Sequence, residues 1–246
     1  MAPGHSMLLY RTASGPVLES DGQWFAIPAE WDQLVNADEL AGALRRHAAT
    51  LSPDPALARA AERPLAPIGA QEVWAAGVTY LRSMTARMEE SQTAGGGNFY
   101  DRVYRAERPE VFFKATAQRV VGPGQAMHLR RDSKWIVPEP ELTLLVNRRG
   151  ETVGYTVGND LSCRDIEGEN PLYLPQAKTF DRCAALGPAI LVSETPPGPE
   201  TEIRIVIRRG PTTAFQGVTT LAQMKRALTE LVGFLFRDNS HPNGVS

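Results

Sequence analysis

The stretch that decides the fold begins Val137-Pro-Glu-Pro-Glu-Leu-Thr-Leu-Leu-Val-Asn147, continues through Arg148-Arg-Gly150 and ends Glu151-Thr-Val-Gly-Tyr-Thr-Val-Gly-Asn-Asp160. Two apolar, β-branched runs separated by a short polar segment predict a β-hairpin. Side chains two residues apart on a strand point to the same face, so Glu139 and Glu141 direct both carboxylates into one small volume. The proline between them restricts this strand to a sheet edge or a strand start. The end of the hairpin that carries these carboxylates is therefore the predicted active site.

The turn of the hairpin decides which residues face each other. A two-residue turn pairs Asn147 with Gly150, which places Glu139 opposite Gly158 and puts Asp160 one step further along the same face. A three-residue turn with Gly150 in the left-handed conformation is equally compatible with the sequence. It would shift the register unless a bulge restores it.

Three carboxylates this close repel one another, so they must lie in water, share protons or hold a cation. Sites made only of oxygen ligands suit hard divalent ions such as Mg²⁺, Mn²⁺ or Ca²⁺. The alternative is that the two glutamates are solvated residues at the start of a strand, because charged side chains usually stay exposed. The hairpin alone leaves both interpretations open.

Several blocks of the sequence share their order and spacing with one known family. They are Pro138-Glu-Pro-Glu-Leu142, Gly154-Tyr-Thr-Val-Gly-Asn-Asp-Leu-Ser-Cys-Arg-Asp165, Ala177-Lys-Thr-Phe-Asp181 and Leu186-Gly-Pro188. From residue 73 onward the chain resembles the fumarylacetoacetate hydrolase superfamily. Further blocks resemble its branch of 2-keto-3-deoxy-D-arabinonate dehydratases: Gly77-Val-Thr-Tyr80 with Arg82-Ser83, Phe112-Phe-Lys-Ala-Thr116, and Asp165-Ile-Glu-Gly-Glu-Asn-Pro-Leu-Tyr-Leu-Pro-Gln176.

The resemblance implies an α+β fold that is mostly β, a β-roll with a small N-terminal α/β appendage. We expect the appendage over residues 1–67 and the catalytic domain over residues 68–246, with a lid at about 81–110. The implied activity is a Mg²⁺-dependent lyase that dehydrates a 2-keto-3-deoxy sugar acid, such as 2-keto-3-deoxy-D-arabinonate, to 2,5-dioxopentanoate. A homodimer or higher homo-oligomer is also implied.

The resemblance assigns roles to four residues of the central region. Glu139, Glu141 and Asp160 stand at the positions of the metal ligands. Lys178 stands where the family's lysine reaches the substrate at the metal. A lysine beside a cation and an oxyanion can have its pKa lowered enough to exchange a proton, so Lys178 is the predicted proton carrier.

Other site residues rest on weaker patterns. The glycines of Ala94-Gly-Gly-Gly-Asn98 fit the hinge of a lid, and Glu110 is the candidate for the lid glutamate with an acid/base role; it could equally be a solvated loop carboxylate. Ser83, Arg164 and Asp165 are predicted to contact the substrate. Ser83 could instead only cap a helix or line the pocket, and the charged segment that starts at Arg164 could be a solvated loop.

One departure from the family separates two reactions. In its hydrolases a histidine follows the motif aligned with Gly77-Val-Thr-Tyr80 and works as general base with an acidic residue, but here Ser83 and Ala86 occupy those positions. A serine without a basic partner is a poor base. This favours dehydration over the alternative, an acylpyruvate or fumarylacetoacetate-type C–C bond hydrolase. A second alternative is a catalytically silent relative that binds metal or keto acid.

The rest of the chain carries structural predictions. Residues 7–28 read as two or three short strands, and residues 38–50 as an amphipathic helix capped by Asp38. Residues 201–208 read as a strand and residues 220–237 as a helix with a leucine stripe. Because relatives in the family continue beyond such a helix with further strands, we expect this chain to be a truncated form.

Composition excludes several classes of function. The net charge is −2 over 246 residues, and no basic run is present to follow a phosphate backbone, so we expect no nucleic-acid partner. No apolar run approaches the roughly 20 residues that span a bilayer, and no signal peptide is recognisable. The two cysteines, Cys163 and Cys183, lack metal or redox spacing and are predicted to be free thiols in a reducing compartment. We therefore expect a cytoplasmic protein.

Overall fold

A computed structural model describes residues 7–80 and 97–246 of the chain. Within these ranges the strands are β1 (Met7–Thr12), β2 (Gly15–Ser20), β3 (Gln23–Ala26), β4 (Glu72–Gly77), β5 (Glu110–Thr116), β6 (Val120–Val121), β7 (Ile136–Val146), β8 (Thr152–Cys163), β9 (Ala184–Val192), β10 (Glu202–Arg209) and β11 (Thr212–Thr220). The α-helices in the same ranges are α1 (Trp31–Val35), α2 (Leu40–Thr50), α3 (Ala58–Ala61), α4 (Gly97–Arg105), α5 (Arg164–Glu169), α6 (Leu174–Lys178) and α7 (Leu228–Leu235). The fold is α+β and mostly β, as predicted.

The largest sheet orders its strands β3-β2-β1-β9-β8-β7, and the short β6 also pairs with β9, in parallel. The neighbouring strands along this order are antiparallel. β4 and β5 form a separate antiparallel pair, and so do β10 and β11. The strand that carries the two glutamates, β7, is therefore an edge strand of the main sheet, which is where Pro138 and Pro140 are tolerated.

The N-terminal strands belong to the same sheet as the hairpin. The three strands β1, β2 and β3 confirm the prediction for residues 7–28. β1 pairs with β9, with Leu9 opposite Ile190, and both residues share a buried apolar cluster with Leu145 of the hairpin. The predicted boundary at residue 67 is thus not a boundary of the sheet, and the N-terminal core supports the strands that hold the site.

Helix α2 confirms the predicted amphipathic helix, with Leu40 and Leu44 buried in the N-terminal core. The predicted cap at Asp38 is wrong. The residue that precedes the helix is Glu39, whose side chain makes no capping hydrogen bond. Asp38 instead lies 3.2 Å from the guanidinium of Arg149 in the hairpin turn. Because both side chains are more than half exposed, we expect this pair to contribute little to stability.

The hairpin forms, with the longer of the two turns considered above. Gly150 has a φ of +78°, a left-handed conformation that glycine adopts at little cost, and a bulge near the turn shifts the ladder once more. Glu139 therefore faces Asp160, and Glu141 faces Gly158. The register with Glu139 opposite Gly158 is wrong, because the third turn residue and the bulge together move β8 by two positions. A shift of two keeps every side chain on its predicted face.

Strand β11 ends at Thr220, the first residue of the helix predicted over residues 220–237. Thr220 is still paired in the β10–β11 ladder, so its backbone cannot start a helix. The chain then crosses to Tyr80, which forms an isolated bridge with Met224, and α7 begins only at Leu228. The leucine stripe that suggested one long helix is therefore divided between a crossing segment and a short helix.

The last two residues link β4 to β7. The backbones of Val245 and Val146 exchange hydrogen bonds of 2.9 and 2.8 Å. The amide of Ser246 donates to the carbonyl of Glu72 over 3.0 Å, and its carbonyl accepts from the amide of Trp74 over 2.8 Å. These bonds hold the β4–β5 pair beside the edge of the main sheet and fix one wall of the cleft described below.

Cys163 and Cys183 are both buried and free, as predicted. Burial raises the pKa of the Cys163 thiol above its ordinary value, so this thiol is a weak nucleophile. Among the helices in residues 7–80 and 97–246, none has both the length and the apolar character that crossing a membrane requires.

Candidate metal centre and substrate cleft

Three carboxylates converge at the end of the hairpin. One ligand oxygen from each of Glu139, Glu141 and Asp160 lies within 4.8 Å of the other two. Glu139 and Asp160 face each other across the β7–β8 ladder, and Glu141 follows two residues along the same face. Gly158 lies opposite Glu141, and a Cβ added to it would meet Thr143 Oγ1 at 2.2 Å. The structure thus brings together all three predicted metal ligands.

Lys178, the last residue of α6, donates to this cluster. Its ammonium lies 2.9 Å from Glu139 Oε2, 2.8 Å from Asp160 Oδ2 and 2.6 Å from Ser162 Oγ. An ammonium has three protons, so these three acceptors use its full donor capacity. Lys178 is fully buried. The cluster therefore already binds one cationic group between two of its carboxylates.

Arg164 neutralises the other side of Glu139. It follows β8 directly, and its Nη2 lies 2.8 Å from Glu139 Oε1. Arg164 is the first residue of α5, and both Arg164 and Glu167 on this helix are buried. The possibility that this charged segment is only a solvated loop is therefore wrong. Arg164 lines the cleft and contacts a predicted metal ligand, a role that the sequence did not assign to it.

Lys114 is the site residue that the sequence analysis missed. Its ammonium lies 2.6 Å from Asp160 Oδ1, and it also donates to the carbonyls of Leu161, over 2.9 Å, and Lys178. A lysine inside the apolar run Val111-Phe-Phe-Lys-Ala115 was the available signal, because an unpaired ammonium is rarely left in a buried strand. Asp160 therefore has a lysine at each of its two oxygens.

The acidity of Glu141 is strongly perturbed. Burial first, and then the charges of Asp160 and Glu139, raise the pKa of Glu141 from 4.5 to about 8, although the charges of Lys178 and Lys114 oppose this rise. A carboxylate in this position holds a proton near neutral pH unless a cation replaces it. Such an oxygen-only donor set, with one carboxylate in need of a positive partner, fits a hard divalent cation.

Asp165 lies outside the set of residues that line the cleft. Its carboxylate accepts from Ser133 Oγ over 2.6 Å and from the amide of Lys134 over 2.7 Å. Burial alone would raise the pKa of Asp165, but these hydrogen bonds, with one from the amide of Ile166, outweigh it and hold the pKa below its ordinary value. Asp165 thus fixes the loop before β7. It does not line the cleft in which a substrate contact was predicted for it.

Glu110 is not on a lid loop. It is the first residue of β5 and pairs with Gly77, and a Cβ added to Gly77 would meet the Glu110 carboxylate at 2.2 Å. Only glycine therefore lets this carboxylate lie across β4. Glu110 is absent from the cleft lining. Its predicted location on the lid is therefore wrong, whereas its acid/base role stays a prediction. Ser83, Ala86 and most of the predicted lid lie outside the described residues.

The cluster opens into a cleft of about 420 Å³, within the size range of small-ligand sites. Its walls come from β4, β7, β10, β11 and α7, and they are largely apolar. The ring of Phe112 lies 5.5 Å from the Lys178 ammonium. Tyr80 also lines the cleft, where burial first and the charge of Glu141 second raise the pKa of its phenol. A ligand here would meet charges at one end and apolar surface elsewhere.

The fold and the site together define a class: a mostly β protein whose edge hairpin presents three converging carboxylates that fit a hard cation. Comparison with known proteins gives the family. The family description "Fumarylacetoacetate (FAA) hydrolase C-terminal" matches residues 73–237, a range that contains the hairpin, both lysines and Arg164. The chain belongs to the fumarylacetoacetate hydrolase family, as its motifs predicted.

Named relatives lie within this family. The chain is 51% identical over 177 residues to a Haloferax volcanii protein named "Probable 2-keto-3-deoxyxylonate dehydratase", which covers 72% of this chain and 60% of that protein. It is 42% identical over 181 residues to the 2-dehydro-3-deoxy-D-arabinonate dehydratase of Saccharolobus solfataricus. This match covers 73% of this chain and 61% of that protein. The chain thus spans about three fifths of the length of these curated relatives.

A solved structure shares most of the architecture. It is 2-keto-3-deoxy-D-arabinonate dehydratase complexed with magnesium and 2,5-dioxopentanoate, and it matches with a TM-score of 0.77 and 30% identity. The match covers 98% of this chain and 85% of that one. The fold seen here is therefore that of a known dehydratase over nearly the whole chain.

Proposed function

We propose that this protein is a Mg²⁺-dependent dehydratase that converts a 2-keto-3-deoxy sugar acid to 2,5-dioxopentanoate. One observation carries the proposal: a buried lysine donates to two of three converging carboxylates in a cleft of small-ligand size. That pairing supplies a cation site and a proton carrier at the same point. The names of the two curated relatives and of the solved complex support the choice of reaction.

Glu139, Glu141 and Asp160 would hold the metal, since their oxygens lie close enough to share one ion. Mg²⁺ is the ion we propose, with Mn²⁺ or Ca²⁺ as possible substitutes, because oxygen-only sites accept all three. When bound, the ion supplies Lewis-acid stabilisation of the negative charge that develops on a 2-keto acid as its C3 proton is lost.

Lys178 would carry the proton. Its ammonium lies at the cluster and next to Phe112, so it can reach a substrate that enters along the cleft. Loss of a proton from C3 and of the hydroxyl from C4 as water would leave a C3=C4 enone that keeps its C5 hydroxymethyl group. Transfer of a proton from C5 to C3 would then give the C4=C5 enol, which loses its hydroxyl proton and gains one at C4 to become the C5 aldehyde. After losing one proton to become the neutral amine, Lys178 would accept the C3 proton and return one to the departing hydroxyl. Arg164 would hold Glu139 in place through its 2.8 Å ion pair.

Three further roles stay proposals. Glu110 would assist proton transfer only if the segment before β5 brings the substrate to it. Ser83 would contact the substrate from the part of the chain outside the described residues. Asp165 would act on the substrate indirectly, through the Ser133 loop that it fixes.

The test is a metal-supplemented assay against a panel of 2-keto-3-deoxy acids that differ in length and stereochemistry. Formation of 2,5-dioxopentanoate is followed with an aldehyde dehydrogenase coupled to NAD⁺ reduction. We expect turnover of at least one C5 acid, its loss with EDTA and its recovery with Mg²⁺. Cleavage of an acylpyruvate without any dehydration would refute the proposal in favour of a hydrolase. Mg²⁺ binding without turnover of any acid tested would favour a catalytically silent relative.

A further inference from the structure

Lys114 occupies a bulge in the β4–β5 pair. Ala115 faces Val73 and Phe113 faces Trp74, so Lys114 has no partner residue on β4. Bulges change the direction of a side chain relative to the regular alternation of a strand, and they are frequent beside active sites. Here the Lys114 side chain extends towards β8 and the end of α6, where all three of its acceptors lie.

The contacts of Lys114 form a closed ring with Asp160 and Lys178. The Lys114 ammonium binds Asp160 Oδ1 at 2.6 Å. The other oxygen, Oδ2, accepts from the Lys178 ammonium over 2.8 Å. The ring closes at the backbone, because the carbonyl of Lys178 accepts a hydrogen bond from the Lys114 ammonium. The Lys114 ammonium therefore fixes the backbone of Lys178 directly and the ammonium of Lys178 through Asp160.

A second set of contacts holds the same two segments together. Thr179, the residue after α6, donates its hydroxyl to the carbonyl of Lys114 over 3.2 Å. The backbone of Lys114 thus accepts from the end of α6 while its side chain donates to it. These reciprocal bonds fix the distance between β5 and the point where the Lys178 side chain begins.

We propose that Lys114 is the positioning residue of Lys178: it sets the place of the Lys178 ammonium between Glu139 and Asp160. The inference rests on the proposed function, in which these carboxylates hold Mg²⁺ and Lys178 carries the proton. Lys114 itself is not a catalytic residue, because its three donors are occupied by protein acceptors and none is left for a substrate.

A purely structural role is the competing explanation. Buried ion pairs contribute little net stability, because desolvation offsets most of their attraction. Replacement of Lys114 by an apolar side chain can therefore lower stability without revealing positioning, and loss of a nearby positive charge would by itself change metal affinity. A test must separate a contribution made through Lys178 from one made independently of it.

A double-mutant cycle makes this separation. Mg²⁺ affinity is measured by calorimetry on the full chain for the wild type, Lys114→Met, Lys178→Met and the double variant, below the unfolding temperature of each. In the wild-type background Lys178→Met removes a competing ammonium and should tighten Mg²⁺ binding by about tenfold or more. In the Lys114→Met background, where Lys178 is no longer held against the carboxylates, the same change should matter less than about threefold. Equal effects in both backgrounds would overturn the inference.

Turnover provides a second cycle. Lys114→Met should lower kcat strongly in the wild-type background and change little in the Lys178→Met background, because groups that act as a unit are not additive. Gln71→Met is the matched control: Gln71 is equally buried, and it donates to Asp32 over 2.8 Å and to the Asn243 carbonyl over 2.9 Å, neither of which belongs to this ring. It should lower the melting temperature while leaving the Lys178→Met effect on Mg²⁺ affinity unchanged.

The remaining outcomes are also decisive. If Lys114→Met does not fold, Lys114→Ala is studied with n-propylammonium, which replaces the Cγ to Nζ atoms that were removed. If saturating amine restores to Lys114→Ala the wild-type effect of Lys178→Met on Mg²⁺ affinity, the positioning role is supported. The inference would be overturned if the amine restores the fold of Lys114→Ala but not the wild-type effect of Lys178→Met on Mg²⁺ affinity. It would also be overturned if neither Lys114 variant folds, because Lys114 would then serve the fold alone. A wild type that binds no Mg²⁺ would instead refute the proposed function.

Discussion

Substitution of Lys178 by methionine should have opposite effects on metal binding and on turnover. The ammonium of Lys178 donates to Glu139 Oε2 over 2.9 Å and to Asp160 Oδ2 over 2.8 Å. Both oxygens belong to the proposed metal ligands, so the ammonium and Mg²⁺ compete for them. Methionine keeps much of the side-chain volume beside Phe112 and removes the competitor together with the proton carrier.

The size of the effect follows from the two bonds. A hydrogen bond to a charged group contributes about 1.5–3 kcal/mol. If the metal displaces one of them, the variant should bind Mg²⁺ about tenfold more tightly, since about 1.4 kcal/mol is a factor of ten. If it displaces both at the lower value, about 3 kcal/mol, the gain is about 150-fold. Turnover should fall close to the background rate because the proposed carrier of the C3 proton is lost.

Calorimetric titration of the metal-free protein with Mg²⁺ measures the affinity, and the coupled aldehyde assay measures turnover. Lys134→Met is the control: Lys134 is exposed, and its loss should change neither quantity by more than about twofold. Unchanged or weaker Mg²⁺ binding in Lys178→Met would show that the lysine does not compete with the metal. Retention of full turnover would remove Lys178 from the mechanism.

Three further outcomes are expected. Glu141→Gln, assayed at pH 9 where this carboxyl is ionised, should weaken Mg²⁺ binding by about 100-fold or more, because a full charge beside a divalent ion is lost, with unchanged circular dichroism. The pKa of Glu141 is raised from 4.5 to about 8, chiefly by burial, so the folded protein keeps this proton over a pH range in which the unfolded chain has lost it. The metal-free protein should therefore lose stability in thermal melts as the pH rises from about 4.5 to about 8. Mg²⁺ affinity should rise over the same window and level off above it, and a flat profile would contradict this. Asn147→Ala should lower the free energy of unfolding by about 1–3 kcal/mol, because its buried side chain makes three hydrogen bonds in the turn, whereas Arg148→Ala should change it by less than about 0.5 kcal/mol in urea melts.

The convergence of the three carboxylates could be predicted because it depends on local rules. Alternation along β7 places Glu139 and Glu141 on one face whatever the rest of the chain does, and any register that differs by two keeps Asp160 on that face. The exact pairing could not be predicted. It depends on the left-handed Gly150 and on a bulge, which the sequence permits without requiring.

The errors arise where tertiary contacts override local patterns. Leucine spacing near Thr220 fits a helix, but pairing with β10 holds this residue in a strand. Asp38 has the character of a helix cap, yet its carboxylate pairs with Arg149 in a distant turn. Glu110 was placed on a loop because the glycines before it suggested a lid, whereas pairing with Gly77 makes it part of β5.

The charges of the site explain why the hairpin pattern alone predicted its anions, whereas two of its cations were predicted only through the family resemblance and Lys114 was not predicted. All three carboxylates come from one hairpin, whereas the positive groups come from three separate elements: Lys114 on β5, Arg164 on α5 and Lys178 on α6. These three cations match the three carboxylates once Glu141 is ionised, so the ionised cluster can be buried without the large cost of a net charge. A divalent ion that enters must therefore displace a positive group or a proton, and Lys178 is the cation that binds two proposed ligands at once. Since the proposed proton carrier and the metal use the same oxygens, the ammonium becomes available to a substrate only when the metal takes its place.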